Sequence, residues 1–140
     1  MNLLLVEDEA MFRKTLKSLI LGEFSRAHIS EAGNGAQVLS MVGADRPDLI
    51  FMDIHLPGED GLTLTRKIKA RYRDIVIAIL TNHDLPEYRD AAMEAGADHF
   101  LVKGSASARE LVELVRAVFF RNRDDSAPGS SGSGSPVADS

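Results

Sequence analysis

The stretch Leu49-Ile50-Phe51-Met52-Asp53-Ile54-His55-Leu56-Pro57-Gly58-Glu59-Asp60-Gly61 decides the fold. Its opening apolar run reads as a short strand, predicted over 48–53 and buried on both faces. The carboxylate of Asp53 is then delivered into a loop punctuated by Pro57, Gly58 and Gly61. Such a position holds a reactive group at a sheet edge and does not fill a core.

Three other strand-like runs also end in polar residues. Residues 3–6 lead into Glu7-Asp8, 75–80 into Thr81, and 100–102 into Lys103. Taken singly, each has an ordinary reading. Glu7-Asp8-Glu9 can favour the start of a helix, Asp53 can be a turn residue, Thr81 suits a strand, and Lys103 suits a surface. His55 and His83 read first as solvated loop histidines. The coincidence at four strand ends is what carries weight.

Around these runs, strand and helix patterns alternate. A helix is predicted over 10–21, with Phe12, Leu16, Leu19 and Ile20 on one face. A strand over 26–30 and a helix near 36–42 follow, separated by Asn34-Gly35. The next helix, 61–72, carries Leu64, Ile68 and Tyr72 on one face, and a strand over 74–81 follows it. The segment 86–95 starts with Pro86 and stops at Gly96, the preferred arrangement for a helix. It is rich in Ala, with Tyr88 and Met93 as its larger anchors, and should sit at the less stable end of the fold. The last helix begins at Ser107, which forms a capping box with Glu110, and carries a stripe of Leu111, Leu114, Val115, Val118 and Phe119.

Five strands alternating with five helices make an α/β, doubly wound parallel sheet covered on both faces. In such sheets the ligand crevice lies outside the carboxyl ends of the strands. All the polar residues named above fall at such ends.

The chain has 140 residues and 44% apolar content, enough for one domain. A net charge of -5 argues against a broad nucleic-acid-binding surface, so no direct nucleic-acid contact is expected from this domain. There is no Cys, which excludes disulfides and thiol chemistry and suits a reducing cytosol. No leader and no membrane-spanning stretch is read in the sequence. The expected organisation is a folded domain over 1–121 and a flexible Gly/Ser/Pro/Asp-rich tail, or a truncated linker, over 122–140.

Converging carboxylates repel one another unless a cation is shared. Mg²⁺ suits Glu7, Asp8 and Asp53, because it takes a few carboxylates, keeps waters and leaves room for a phosphate oxygen. Asp53 then reads as a nucleophile toward phosphorus, with Lys103 offsetting phosphoryl charge and Thr81 donating to an equatorial oxygen.

At this point the residues resemble a known family. Glu7-Asp8, Asp53-x-x-Leu56-Pro57-x-x-x-Gly61, Thr81 and Phe100-x-x-Lys103 are similar to the receiver domain of bacterial two-component response regulators, in order, from Met1 to about Arg121. The resemblance implies a five-stranded flavodoxin-like sheet of order 2-1-3-4-5. It implies that Asp53 accepts a phosphoryl group from a histidine kinase or phosphotransfer protein, and that Glu7, Asp8, Asp53 and the His55 backbone carbonyl hold Mg²⁺. Thr81 and Phe100 would be the coupled switch pair, passing the signal to a face made by the fourth helix, fifth strand and fifth helix. That face often dimerises or binds a partner in the family. A cytoplasmic regulator with a helix-turn-helix output domain controlling transcription is the implied context.

Some positions depart from the common pattern. Gly104 stands where many receivers have Pro, Asn82 where Ala or Gly is usual, and Phe100 where Tyr is an option. With His55 and His83, Asn82 is a candidate for tuning the phosphoryl lifetime. Two other readings stay open: an aspartate-nucleophile phosphatase of the haloacid dehalogenase type, and a pseudo-receiver scaffold. The first usually has Asp-x-Asp at the nucleophile, where this chain has His55 as the second residue after Asp53.

Overall fold

The computed structural model describes residues 1–126. Its elements run β1 (Asn2–Val6), α1 (Ala10–Glu23), β2 (His28–Ala32), α2 (Val38–Asp45), β3 (Leu49–Met52), α3 (Gly61–Arg71), β4 (Val76–Thr81), α4 (Pro86–Ala95), β5 (His99–Val102) and α5 (Ala108–Ser126). The strands form one parallel sheet of order β2-β1-β3-β4-β5, as the resemblance implies. The order reverses between β1 and β3, which opens the crevice there.

Strand periodicity divides the core into two layers. Leu4, Val6, Ile50, Met52, Ile77 and Ile79 face one way and pack on Val38, Val42, Leu64, Ile68 and Ala92 of α2, α3 and α4. Leu3, Leu5, Leu49, Phe51, Val76, Ala78 and Leu80 face the other way, onto Leu16 and Ile20 of α1 and Leu111, Val115 and Val118 of α5. Because β1, β3 and β4 are covered on both sides, their sequences are nearly continuous apolar runs.

The elements follow the predicted order, with four corrections. The second strand starts at His28 and not at residue 26, because Ser25 and Arg26 form the turn that leaves α1. The second helix spans Val38–Asp45 and not 36–42, because Ala36 is held in a turn by the Asn34 side chain. It ends at Arg46, which adopts a φ of 47°. Pro47 disfavours the right-handed helical conformation at the residue before it, so the helix stops there. Arg46 also stacks its guanidinium over Tyr72, 4.5 Å from the ring centroid.

In α4 the buried side chains are Ala92 and Ala95, while Met93 is exposed and does not anchor the helix as expected. Two alanines bury far less than the ~1.5–3 kcal/mol of apolar transfer that each fully buried Leu or Ile side chain contributes. With Tyr88 packed at the margin of the core, α4 therefore docks mainly through small side chains, the composition expected of an element at the less stable end of the fold. The Ser107–Glu110 capping box forms in both directions, at 2.8 and 3.1 Å. The last helix continues to Ser126, five residues past Arg121; the rest of the expected tail, from residue 127 on, lies outside the described residues.

Candidate functional site

Parallel pairing in register carries the strand ends to one edge. Val6 pairs with Met52 and Met52 with Ile79, so Glu7 and Asp53 leave adjacent strands side by side. Thr81 ends β4 opposite Val102, which places Lys103 one residue past the end of β5. Glu7, Asp8, Glu9, Asp53, His55, Thr81, Asn82, His83 and Lys103 together line an open cleft of about 390 Å³.

Glu7, Asp8 and Asp53 each offer a carboxylate oxygen, and these atoms lie within 4.8 Å of one another. Glu7 and Asp53 are buried, whereas Asp8 is exposed. Lys103 Nζ bridges the two buried carboxylates, 2.6 Å from Glu7 Oε1 and 3.4 Å from Asp53 Oδ2. The other oxygen of Glu7 accepts the Glu9 backbone N–H at 3.0 Å.

Burial pushes the Glu7 carboxyl above its usual range; the Lys103 ammonium and the Glu9 amide oppose this, and the Asp53 charge adds to it. Burial pulls the other way on Lys103, toward a lower value. Its bond to Glu7 and the charge of Asp53 outweigh that, so the ammonium is held above its ordinary range. One ammonium against a cluster of carboxylates leaves room for a further cation. The all-oxygen donor set, partly open to solvent at Asp8, is of the kind that suits Mg²⁺.

The loop after Asp53 is held by backbone. Gly61 donates to the Ile54 carbonyl at 2.8 Å, and the buried Thr65 hydroxyl donates to the Gly61 carbonyl at 2.7 Å. A Cβ at Gly61 would lie 2.0 Å from the Asp53 carbonyl oxygen. Gly35 gives the same kind of support from the side: its N–H donates to the Pro57 carbonyl at 3.0 Å, and a Cβ there would lie 2.3 Å from the Glu59 carbonyl oxygen. Asp60 caps α3 by accepting from the Leu62 and Thr63 amides, both at 2.9 Å.

Thr81 is fully buried, and its Oγ1 accepts the His83 amide at 3.3 Å. Phe100 is 8% exposed, with its ring turned into the core under the Arg89 guanidinium, 4.7 Å from the centroid. His55 and His83 stand at the cleft mouth with ring centroids 4.5 Å apart. Asn82 lines the cleft and is exposed, and Gly104 has open space where a Cβ would be.

Two contributors to the site were not legible as such from sequence: Phe12, expected only on the apolar face of the first helix, and Arg13. Phe12 lies under the Lys103 ammonium, 4.8 Å from it. Arg13 donates to the Glu7 carbonyl at 2.6 Å and pairs with Glu31 at 3.0 Å, tying α1 to the ends of β1 and β2. Their partners lie on other elements, so only the fold reveals them.

Fold and site together define a doubly wound α/β domain with a lysine-bridged acidic crevice at its topological switch point. The chain matches the response regulator receiver domain over residues 3–116 and belongs to that family. This is a signalling domain, which decides against the haloacid dehalogenase reading. Response regulator MprA of Mycobacterium leprae is 34% identical over 127 residues, covering 91% of this chain and 54% of that protein. The MprA of Mycobacterium tuberculosis (strain ATCC 25177 / H37Ra) is 32% identical over 126 residues, covering 90% and 54%. The chain thus spans about half the length of these relatives. Among solved structures, a DNA-binding response regulator of the LuxR family from Staphylococcus aureus superposes with a TM-score of 0.75 at 26% identity, covering 84% of this chain and 97% of that one. A CheY-like receiver domain protein from Methanospirillum hungatei JF-1, at 21% identity, shares the fold with a TM-score of 0.78, covering 89% and 97%.

Proposed function

We propose that Asp53 is the phosphoryl acceptor of a Mg²⁺-dependent switch. The observation that carries this is the bridging of Asp53 and Glu7 by Lys103 within a cluster of three carboxylates. An Asp53 oxygen attacks phosphorus, the bond from phosphorus to the donor's imidazole nitrogen breaks, and the leaving imidazole takes up a proton. The product is an acyl phosphate on Asp53.

Lys103 reaches both the acceptor and the incoming charge. Thr81 lines the same cleft, and its hydroxyl hydrogen is not used by the bond it accepts from the His83 amide. Glu7, Asp8, Asp53 and the His55 carbonyl would hold Mg²⁺, which supplies charge neutralisation at the phosphoryl oxygens. Asn82, His55 and His83 border the cleft and would govern how long the acyl phosphate survives.

The donor class is a histidine kinase or phosphotransfer protein. The signal leaves through α4, β5 and α5, because Thr81 and Phe100 border that face and α4 is lightly anchored. That face also serves as the surface for a homodimer or a partner. Similarity to a DNA-binding response regulator of the LuxR family supports transcription as the output, with the cytoplasm as the setting. Among the described residues no helix is long and apolar enough to cross a membrane.

Acetyl phosphate with Mg²⁺ should shift the amide resonances of Tyr88, Phe100 and Val115 in the wild type and leave them in place in Asp53→Asn. Unchanged shifts in a labelled wild type would overturn the proposed output face.

A further inference from the structure

Beside the acidic cleft lies a group of nitrogen donors with a different chemistry. His55 and His83 sit two residues beyond Asp53 and Thr81, and each is set by the same local device. The His55 amide donates to Asp53 Oδ1 and the His83 amide to Thr81 Oγ1, both at 3.3 Å. Two equivalent turns on neighbouring strands therefore send two imidazoles to one point at the cleft mouth. Both residues are exposed, so the rings are open to an ion from solvent.

Their ring centroids are 4.5 Å apart. Two imidazoles bound side by side to one ion, with metal–nitrogen bonds of about 2.0–2.1 Å, place their centroids roughly 4.5–5.2 Å apart. Tyr88 closes the third side, with ring centroids 5.5 and 5.4 Å from His55 and His83 and its hydroxyl 3.5 Å from His55 Nε2. The carboxylates of Glu7, Asp8, Glu9 and Asp53 line the same cleft against the single Lys103 ammonium, so the local field attracts cations.

From this geometry we infer that His55 and His83 form a second metal site, selective for a first-row divalent ion that prefers nitrogen donors, such as Zn²⁺ or Ni²⁺. Ligand softness separates it from the all-oxygen site of Glu7, Asp8 and Asp53. An ion held there stands over the entrance to Asp53 and obstructs approach to it. The chain has no Cys to compete, and its other histidines, His28 and His99, begin β2 and β5 at the opposite edge of the sheet.

The test is calorimetric titration of the full 140-residue chain with NiCl₂ or ZnCl₂ in saturating Mg²⁺, which keeps the carboxylates occupied. One ion per chain is expected for the wild type and for Asp53→Asn. Affinity should fall by roughly tenfold or more in His55→Ala and in His83→Ala, at least the loss that follows removal of a ligand's supporting partner. Equal binding in all four proteins, or loss of binding in Asp53→Asn alone, would overturn the site. As a second readout, Zn²⁺ should slow labelling by acetyl phosphate in the wild type and leave the rate of His83→Ala unaffected. The binding arm needs no phosphorylation, so it stands apart from the fate of Asp53 as acceptor.

Discussion

Lys103 Nζ lies 2.6 Å from Glu7 Oε1, an ion pair in which both side chains are almost wholly buried, at 6% and 5% exposure. Neither charge is well solvated, so each depends on the other and on Asp53. Removing one partner of a buried pair leaves an uncompensated charge and costs about 3–5 kcal/mol. Lys103→Met is expected to lose stability of that order in urea unfolding without Mg²⁺. Saturating Mg²⁺ should then stabilise the variant more than the wild type, because it supplies the missing positive charge. An equal Mg²⁺ effect in both proteins would contradict this.

Asp60 at the start of α3 gives a pH-dependent prediction. Burial works against ionisation, but the bonds from Thr63 and Leu62 outweigh it and hold the carboxyl below its usual value of 3.8. A carboxylate depressed in the folded state contributes stability that is present above the unfolded value and lost as pH falls through the folded one. Asp60→Ala should therefore cost about 1 kcal/mol at neutral pH. The difference from wild type should shrink as the pH drops below 3.8, as urea titrations over that range will register.

Gly35 and Gly61 brace the loop that carries Asp53. A methyl group at either would meet a carbonyl oxygen, of Glu59 or Asp53, at a separation that real contacts do not show. The backbone must move in Gly35→Ala and Gly61→Ala, at a cost of about 1–3 kcal/mol. Mg²⁺ affinity should fall along with stability, since the moving segment holds the carboxylate. A destabilised variant with unchanged Mg²⁺ affinity would show that the brace does not position the site.

Arg89 covers the Phe100 ring at 4.7 Å and is itself half exposed. Contacts of this kind at exposed positions contribute about 0.5–1 kcal/mol. Arg89→Ala should lose that amount and move the Phe100 ring resonances, with Arg89→Lys intermediate. Unmoved resonances would show that the ring is held by the core alone.

Much of this was legible in the sequence because the apolar runs and the polar residues that end them are local. The buried strands β1, β3 and β4 announce themselves as uninterrupted apolar segments, and Asp53, Glu7, Thr81 and Lys103 come to one edge through parallel register. The edge strand β2 was harder to place. Its sequence His-Ile-Ser-Glu-Ala has only Ala32 fully buried, so the pattern left its start two residues adrift. The Gly35 brace and the pairing of His55 with His83 depend on contacts between separate loops, and the Arg13 tie runs from the first helix back to the backbone at the end of β1. No local pattern encodes them.

The role of Asp53 is tested most directly by intact-mass analysis after incubation with Mg²⁺ and acetyl phosphate. The wild type should gain the mass of one phosphoryl group and Asp53→Asn none, with the wild-type label absent when Mg²⁺ is removed. A wild type that stays unlabelled, or equal labelling of both proteins, would contradict Asp53 as the acceptor.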